Sequence, residues 1–319
     1  MTRTRGSRML LTAVFLAVAG TAFGQAADEK IVLRLRLKEG ESYRQRMTTD
    51  QKISQTIQGQ QLDMAQKMGM EFTYDVLKVN ADGTARVKVT YTGVLFEQDG
   101  PMGKIRYDSA NPPETVHPLA QGFAALVGQG FSMEFTPEGK VTNVEGVDAM
   151  LKHMLANMDL PDEATKADLE KKLTEQFGDQ AMKEMMENMM ATYPDGPVGL
   201  EDSWSKKIVV SKGFGMIMEN TWTLKARRDG KALVSVTSKV SPNPDAAAIA
   251  VGPMKIGYDL SGKQEGTIEI DEATGWTLRQ ELTQDLSGKV RMEGGPAALK
   301  ESSWPISLQS TILVETPGK

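Results

Sequence analysis

The chain has 319 residues, with 37 Lys and Arg against 42 Asp and Glu, a formal net charge of −5 and no cysteine. The lack of cysteine excludes disulfides and cysteine nucleophiles, and the acidic balance argues against nucleic acid or anionic lipid as a partner, since both favour basic patches. The two histidines, His117 and His153, have no metal-binding spacing, so the sequence predicts no metal site and no cofactor.

The amino terminus has the pattern of a secretory signal peptide. Three arginines precede an apolar run over residues 9–20, and small residues follow at Ala22 and Gly24. We predict cleavage after Gly24 or, alternatively, after Ala26, with export to the periplasm or the extracellular space. A leader of residues 1–24 contains three arginines and no acidic residue, so its removal takes the net charge from −5 to −8. No later stretch has the roughly 20 apolar residues of a membrane-spanning helix.

Period-two alternation predicts β-strands at the start of the mature chain. Leucines alternate with basic residues over 33–38 and predict a first strand. The polar segment 43–58 predicts a longer strand, which either has much of one face in water or lies at a sheet edge. Segments 68–79 and 84–96, joined by an Asp-Gly turn, predict a hairpin.

A similar hairpin recurs in the second half of the chain. Segment 216–222 resembles 68–74, and in both places a Leu-Lys pair, an Asp-Gly turn and a Val-x-Val strand follow. We interpret this either as a duplicated β unit, with a one-residue gap that a β-bulge absorbs, or as two hairpins that meet the same packing demand.

Residues 146–200 predict a helical insert between the two hairpins. Apolar residues at helical spacing predict one helix from Val147, and a second is predicted over 162–177. A third helix has methionines at i, i+3, i+4, i+7 and i+8, here called the Met stripe: Met182, Met185, Met186, Met189 and Met190. A shorter helix over 117–128 and a hairpin over 131–144 precede the insert.

Three interpretations of the Met stripe compete. A helical apolar stripe ordinarily packs on a sheet. Thioethers also form an adaptable lining for apolar ligands, which makes the five Met-stripe residues candidate ligand-binding residues. Thioethers can bind copper(I) as well, but only His153 is nearby to complete such a site.

The carboxy-terminal half returns to strand patterns. They cover 204–210, 216–226, 231–240, 255–260, 266–271, 276–286 and 304–314. Because so many strands in one sheet curl or split, we predict an α+β protein, mainly antiparallel, built as a curved half-barrel or a sandwich. The predicted organisation is a signal peptide and one β-rich domain over 25–319, or alternatively two similar β halves over 25–145 and 201–319.

Motifs for catalysis are missing from the sequence. It contains no Gly-x-Ser-x-Gly elbow and no glycine-rich phosphate loop, and its carboxylates are too scattered to nominate an acid/base pair. We therefore predict that the protein is not an enzyme.

Several short segments resemble an uncharacterised bacterial family of exported β-rich proteins, domain of unknown function 6263. They are 33–43, 47–53, 107–109, 135–141 and 193–198 leading to 202–204, and the resemblance covers nearly the whole mature chain. The chain departs from the pattern at Glu201, where the family would have glycine before Asp-Ser-Trp. The resemblance implies an exported β-rich protein and supplies no catalytic residues.

Together these features predict a protein that binds an apolar ligand or an envelope partner through a concave sheet and Met-rich helices. The alternative is a non-enzymatic structural or interaction protein of the bacterial envelope with no ligand pocket. An open pocket favours the first, and a dry helix–sheet interface favours the second.

Overall fold

The computed structural model describes residues 29–101, 103–156, 162–190, 192–211, 215–251, 254–294 and 302–317. The predicted leader, residues 1–24, lies outside the described residues. Within them the chain forms one open, curved, mainly antiparallel sheet with helices, which confirms the predicted α+β class and the half-barrel form of it.

The strands are β1 (Ser42–Ile57), β2 (Gln60–Val79), β3 (Ala85–Gly100), β4 (Gly103–Asp108), β5 (Gly130–Phe135), β6 (Val141–Glu145), β7 (Ser203–Val210), β8 (Met216–Arg228), β9 (Lys231–Pro242), β10 (Ile249–Val251), β11 (Met254–Asp271), β12 (Thr277–Glu293) and β13 (Ser302–Glu315). The helices are α1 (Pro118–Ala124), α2 (Val147–Ala156), α3 (Glu163–Phe177) and α4 (Asp179–Met190). None of these described helices is long and apolar enough to cross a membrane.

The strand order is β6-β5-β3-β2-β1-β13-β12-β11-β9-β8-β7, with β4 paired to β3 and β10 paired to β11. Strands β1 and β13, the first and last of the described strands, are therefore neighbours in the middle of the sheet. Of the two alternatives for β1, a strand with much of one face in water or an edge strand, the edge is wrong. Helix α4 packs against both β6 and β7, the two strands that end this order. Because both ends of the sheet reach the same helix, the sheet curves around an inner face.

The predicted strand at 33–38 is not a strand. Its leucines are buried at alternate positions as predicted, but the backbone crosses the ends of two turns instead of joining a ladder. The Leu35 N–H donates to the Pro137 carbonyl in the β5–β6 turn, and the Arg36 N–H donates to the Thr274 carbonyl in the β11–β12 turn, each at 2.8 Å. Alternation reports which side chains are buried, not which backbone groups pair.

The two similar hairpins share a register. Val76 lies opposite Val87 in β2–β3, and Leu224 lies opposite Val234 in β8–β9; in each hairpin the next residue is bulged. The prediction that a bulge absorbs the one-residue gap is therefore wrong, since both copies carry it. The one-residue difference lies in the turn, since five residues, 80–84, separate the paired Val79 and Ala85, whereas four residues, 228–231, separate the paired Arg227 and Ala232. One bulge is thus common to both hairpins, and β2–β3 has a further register shift between Glu71 and Phe72.

The segment before β1 and the segment before β7 also share a backbone hydrogen bond and a backbone conformation. The Gly40 N–H donates to the Val76 carbonyl at 2.9 Å, and the Glu201 N–H donates to the Leu224 carbonyl at 2.8 Å. Gly40 has φ +81° and Glu201 has φ +64°. Glu201, where the family pattern has glycine, therefore has a side chain on a backbone in the left-handed region, and a Cβ atom there is strained.

Replacing Glu201 tests this strain. We expect Glu201→Gly to have a free energy of unfolding about 1 kcal/mol higher than Glu201→Ala. Both variants lose the exposed ion pair of Glu201 with Lys225, so that loss cancels in the comparison. Urea denaturation measures the difference, and an alanine variant as stable as the glycine variant would contradict the assigned strain.

A second error of prediction concerns β11. The sequence predicts separate strands over 255–260 and 266–271, yet β11 runs through both and contains Gly262 and Gly266. A Cβ atom at Gly262 would lie 2.0 Å from the Asp285 carbonyl oxygen, and one at Gly266 would lie 1.9 Å from that of Glu281. These glycines allow the β11 and β12 backbones to approach closely at both positions.

Candidate ligand-binding site

Antiparallel pairing places one residue from each strand side by side on the inner face of the sheet. One such transverse row is polar, although the inner face is otherwise mostly apolar. This row, the polar belt, runs from β3 to β7 as Gln98, Gln66, Gln51, Ser310, Gln284, Gln264, Ser238, Asn220 and Lys206, and each member is the register partner of the next.

The rows on both sides of the polar belt are apolar apart from one threonine. The row nearer the main core, the Trp222 row, consists of Phe96, Met68, Thr49, Ile312, Leu282, Gly266, Val236, Trp222 and Trp204. The opposite row, the Met218 row, consists of Met64, Ile53, Leu308, Leu286, Gly262, Val240, Met218 and Ile208. Neither row contains an ionisable side chain.

A cavity of about 690 Å³ lies over the polar belt. It is lined by three consecutive residues from each of β1, β2, β3, β4, β12 and β13. Because side chains alternate along a strand, the middle residue of each triplet faces inward. These inward residues are Gln51, Gln66, Gln98, Ile105, Gln284 and Ser310. The volume is within the roughly 300–1,000 Å³ of small-molecule sites.

The charged residues that flank these inward positions pair on the outer face. The Lys104 ammonium lies 3.1 Å from the Asp99 carboxylate, and Arg106 pairs with Glu97 on the neighbouring strand. These side chains are largely exposed to solvent. The charges of this part of the sheet therefore lie outside, and the side chains that face the cavity are uncharged.

Helix α1 covers the inner face at the β3–β4 side of the cavity. Phe96, in the Trp222 row beside Gln98, is buried together with Tyr107 and Ala120. The rings of Phe96 and Phe123 stack with their centroids 4.8 Å apart. His117 caps this helix, since its Nδ1 accepts a hydrogen bond from the Leu119 N–H at 3.2 Å.

Hydrogen bonds connect part of the polar belt. The Gln284 Nε2 donates to the Gln264 Oε1 at 2.6 Å, and the Gln264 Nε2 donates to the Ser238 Oγ at 3.4 Å. Ser310 is 5% exposed and Asn220 is 3% exposed, yet the Ser310 Oγ and the Asn220 Oδ1 have no hydrogen-bond partner among the described residues. Buried polar atoms normally have partners, so these two mark the belt as incompletely satisfied by the protein itself.

The charged member of the polar belt lies at its β7 end, away from the cavity. The Lys206 Nζ donates to the Tyr193 carbonyl at 2.7 Å, and burial lowers the pKa of this ammonium. Arg34 donates to the carbonyls of Pro194 and Asp195 in the same segment. Both cationic side chains therefore bind backbone carbonyls of the chain segment that leads into β7.

The Met stripe is placed apart from the cavity. Met182 is buried in the main core, Met186 is half-buried against it, and Met185 is 43% exposed. The side chains of Met189 and Met190 lie outside the described residues. The cavity lining includes no stripe residue whose side chain is described. The methionine ligand site remains a prediction, and the structure does not bring it together with the sheet cavity.

The described residues contain no group of three or more His, Asp or Glu side chains that could hold a metal ion. His153 lies exposed on α2, and His117 is the cap of α1.

Comparison with known protein families gives a match to a family of unknown function (DUF6263) over residues 82–277. This match covers more than half of the chain. The chain belongs to the DUF6263 family. The family resemblance inferred from the sequence is thereby confirmed, while bacterial origin and export are not addressed by the match. No curated protein matches this DUF6263 chain.

Solved structures give distant likenesses to this DUF6263 protein. A structure of lipid–protein interactions in lipovitellin has a TM-score of 0.47 and 8% identity, with 88% of this chain and 25% of that chain covered. This chain thus spans about a quarter of its length. OpdQ of Pseudomonas aeruginosa has a TM-score of 0.19 and 7% identity, with 88% and 99% covered. DynF of the dynemicin pathway of Micromonospora chersina has a TM-score of 0.19 and 4% identity, with 94% and 92% covered.

Proposed function

We propose that this DUF6263 protein is an exported binding protein that holds an amphiphile with an aliphatic chain in the inner-face cavity. The observation that carries the proposal is the cavity of about 690 Å³ whose inward-facing side chains are uncharged and lie between two mostly apolar rows. A concave site in which uncharged polar groups converge beside apolar surface is typical of small-molecule sites. It favours a binder over a structural envelope protein without a pocket.

Two features support the other parts of the proposal, namely that the protein is not an enzyme and that it is exported. The inward lining offers amides, a hydroxyl and an isoleucine, and none of these supplies the paired acid and base or the activated nucleophile of an enzyme. The sequence pattern of residues 1–24 supports export. The leader and the binding function are independent parts of the proposal.

Fluorescence of the apolar dye N-phenyl-1-naphthylamine tests binding in this cavity. We expect saturable enhancement with one dye per chain. Gln66→Phe fills the cavity from the inner face of β2 and should weaken dye affinity at least about tenfold, which is about 1.4 kcal/mol. Gln61→Phe is the matched control, since Gln61 lies on the same strand, its side chain is exposed and it does not line the cavity.

The control variant should bind the dye as the parent protein does. Absence of saturable binding by the parent protein, or equal affinity of the two phenylalanine variants, would contradict the proposed site and favour the structural alternative. Circular dichroism of both variants checks that each retains the β-rich fold.

A further inference from the structure

Resting on the proposed function, we propose that the ligand's polar group is uncharged and hydrogen-bonds the polar belt, with its aliphatic chain along the Met218 row. The fitting class is a neutral amphiphile that carries a carboxamide, ester or hydroxyl group. Three observations support this class: the charge of the lining, the unsatisfied hydrogen-bonding groups, and the apolar row beside them.

No inward-facing residue of the lining could balance a charged ligand, because the charged members of the lining occupy the outward positions of each triplet: Asp50, Lys52, Lys67, Glu97, Asp99, Lys104, Arg106 and Asp285. Over the strands that form the cavity, the polar belt consists of Gln and Ser side chains, and both neighbouring rows lack ionisable residues. Charged side chains nearby, such as Asp99 and Lys104, pair with each other on the outer face. Transfer of a carboxylate, phosphate or ammonium group from water into such a site is costly without a partner charge.

Lys206 does not supply a positive charge at the cavity. It belongs to the β7 end of the polar belt, with Ser238, Asn220 and Gln264 between it and the cavity residue Gln284. Its ammonium group donates to the Tyr193 carbonyl. An anionic ligand in the cavity would therefore not meet this cation.

The belt offers hydrogen bonds that the protein does not use. The Ser310 Oγ is buried, lines the cavity and has no partner within the described part of the chain. Its register partners are Gln51 and Gln284, whose amides each present both a donor and an acceptor. A ligand amide or hydroxyl, which also donates and accepts, can satisfy this set.

The Met218 row supplies the surface for the chain. Met64, Ile53 and Leu308 of this row lie directly beside Gln66, Gln51 and Ser310 at the next inward position of their strands. Each of these three side chains is half-buried and so keeps part of its surface free. Contact with an aliphatic chain would bury that remaining apolar surface, which favours binding.

Displacement of N-phenyl-1-naphthylamine by three amphiphiles of equal chain length tests the inference. We compare dodecanamide, dodecanoate and dodecylammonium at pH 8, below their aggregation concentrations. Dodecanamide should displace the dye at a concentration at least about tenfold lower than either charged compound. Equal displacement by all three, or stronger displacement by a charged one, would overturn the neutral-group inference while leaving cavity binding in place.

Ser310→Ala separates a binding role from a structural one. Because the Ser310 Oγ has no partner in the protein, its removal should leave the free energy of unfolding unchanged or higher. Affinity for dodecanamide should nevertheless fall about three- to tenfold, the effect of one neutral hydrogen bond. Ser307→Ala, on the exposed face of the same strand, should change neither. Unchanged dodecanamide affinity in Ser310→Ala would overturn the inference, and failure of the parent protein to bind the dye would overturn the proposed function itself.

Discussion

Gly275→Ala is expected to lower the free energy of unfolding by about 3 kcal/mol or more, one of the two largest single-residue effects we expect. Gly275 has φ +72°, and a Cβ atom there would lie 2.0 Å from the Arg34 carbonyl oxygen. The new methyl group must push the extended segment 31–38 away from the β11–β12 turn. Backbone strain and overpacking each cost about 1–3 kcal/mol, and here they act together.

Gly230 supplies the matched control for this prediction. It also has φ +72°, but no atom lies within 4 Å of the position its Cβ would occupy. Gly230→Ala should therefore cost only the left-handed strain, about 1 kcal/mol. Urea denaturation of both variants measures the difference. Equal losses would show that the close approach of the Arg34 carbonyl to Gly275 does not hold the segment in place.

Gly288→Ala is expected to cost a similar amount and to disturb the cavity as well. Gly288 lies on β12, and its Cβ would lie 1.8 Å from the Asp259 carbonyl oxygen of β11. The two strands must separate or flatten to admit a methyl group, at about 3 kcal/mol. Since Leu286 and Gln284 of the same strand belong to the rows around the cavity, dye affinity should fall too.

Gly257→Ala is the control in the same pair of strands. A Cβ atom at Gly257 would meet the flexible Arg291 side chain at 3.4 Å, which is ordinary contact. This substitution should change the free energy of unfolding by less than about 1 kcal/mol and leave dye affinity unchanged. If Gly288→Ala is equally mild, the close approach of β11 and β12 is not needed for the curvature of the sheet.

Sequence patterns predicted much of the fold because they report local burial. Alternation located β1 and both similar hairpins, and 3.6-residue spacing located α2 and α4. The same alternation over 33–38 predicted a strand where the chain instead crosses two turns. Burial of every second side chain is common to both arrangements, so only the partners of the backbone distinguish them.

The candidate site could not be predicted because it depends on register between distant strands. The polar segment containing Gln51 indicated a wet face or an edge strand, which is the ordinary meaning of polar residues in a strand. Its neighbours Ser310 and Gln284 come from the other end of the chain. No local pattern relates these residues, and a polar belt exists only once the three strands are aligned. The one available signal was the excess of Gln in β1 and β2.

For the Met stripe, the sequence predicts the helix but not what its apolar face contacts. Its spacing predicted a helix, and α4 is that helix. Spacing alone could not decide between core packing and ligand contact, since both use one apolar face. The structure places Met182 in the core and leaves Met185 exposed.

Photolabelling with a dodecanamide that carries an alkyl diazirine tests the central claim most directly. The account predicts that, after irradiation and proteolysis, the label is on inward residues of β1, β2, β12 and β13 around Gln51, Gln66, Gln284 and Ser310, and that unlabelled dodecanamide suppresses it. Label concentrated on the Met stripe of α4, or spread over the surface without competition, would contradict it.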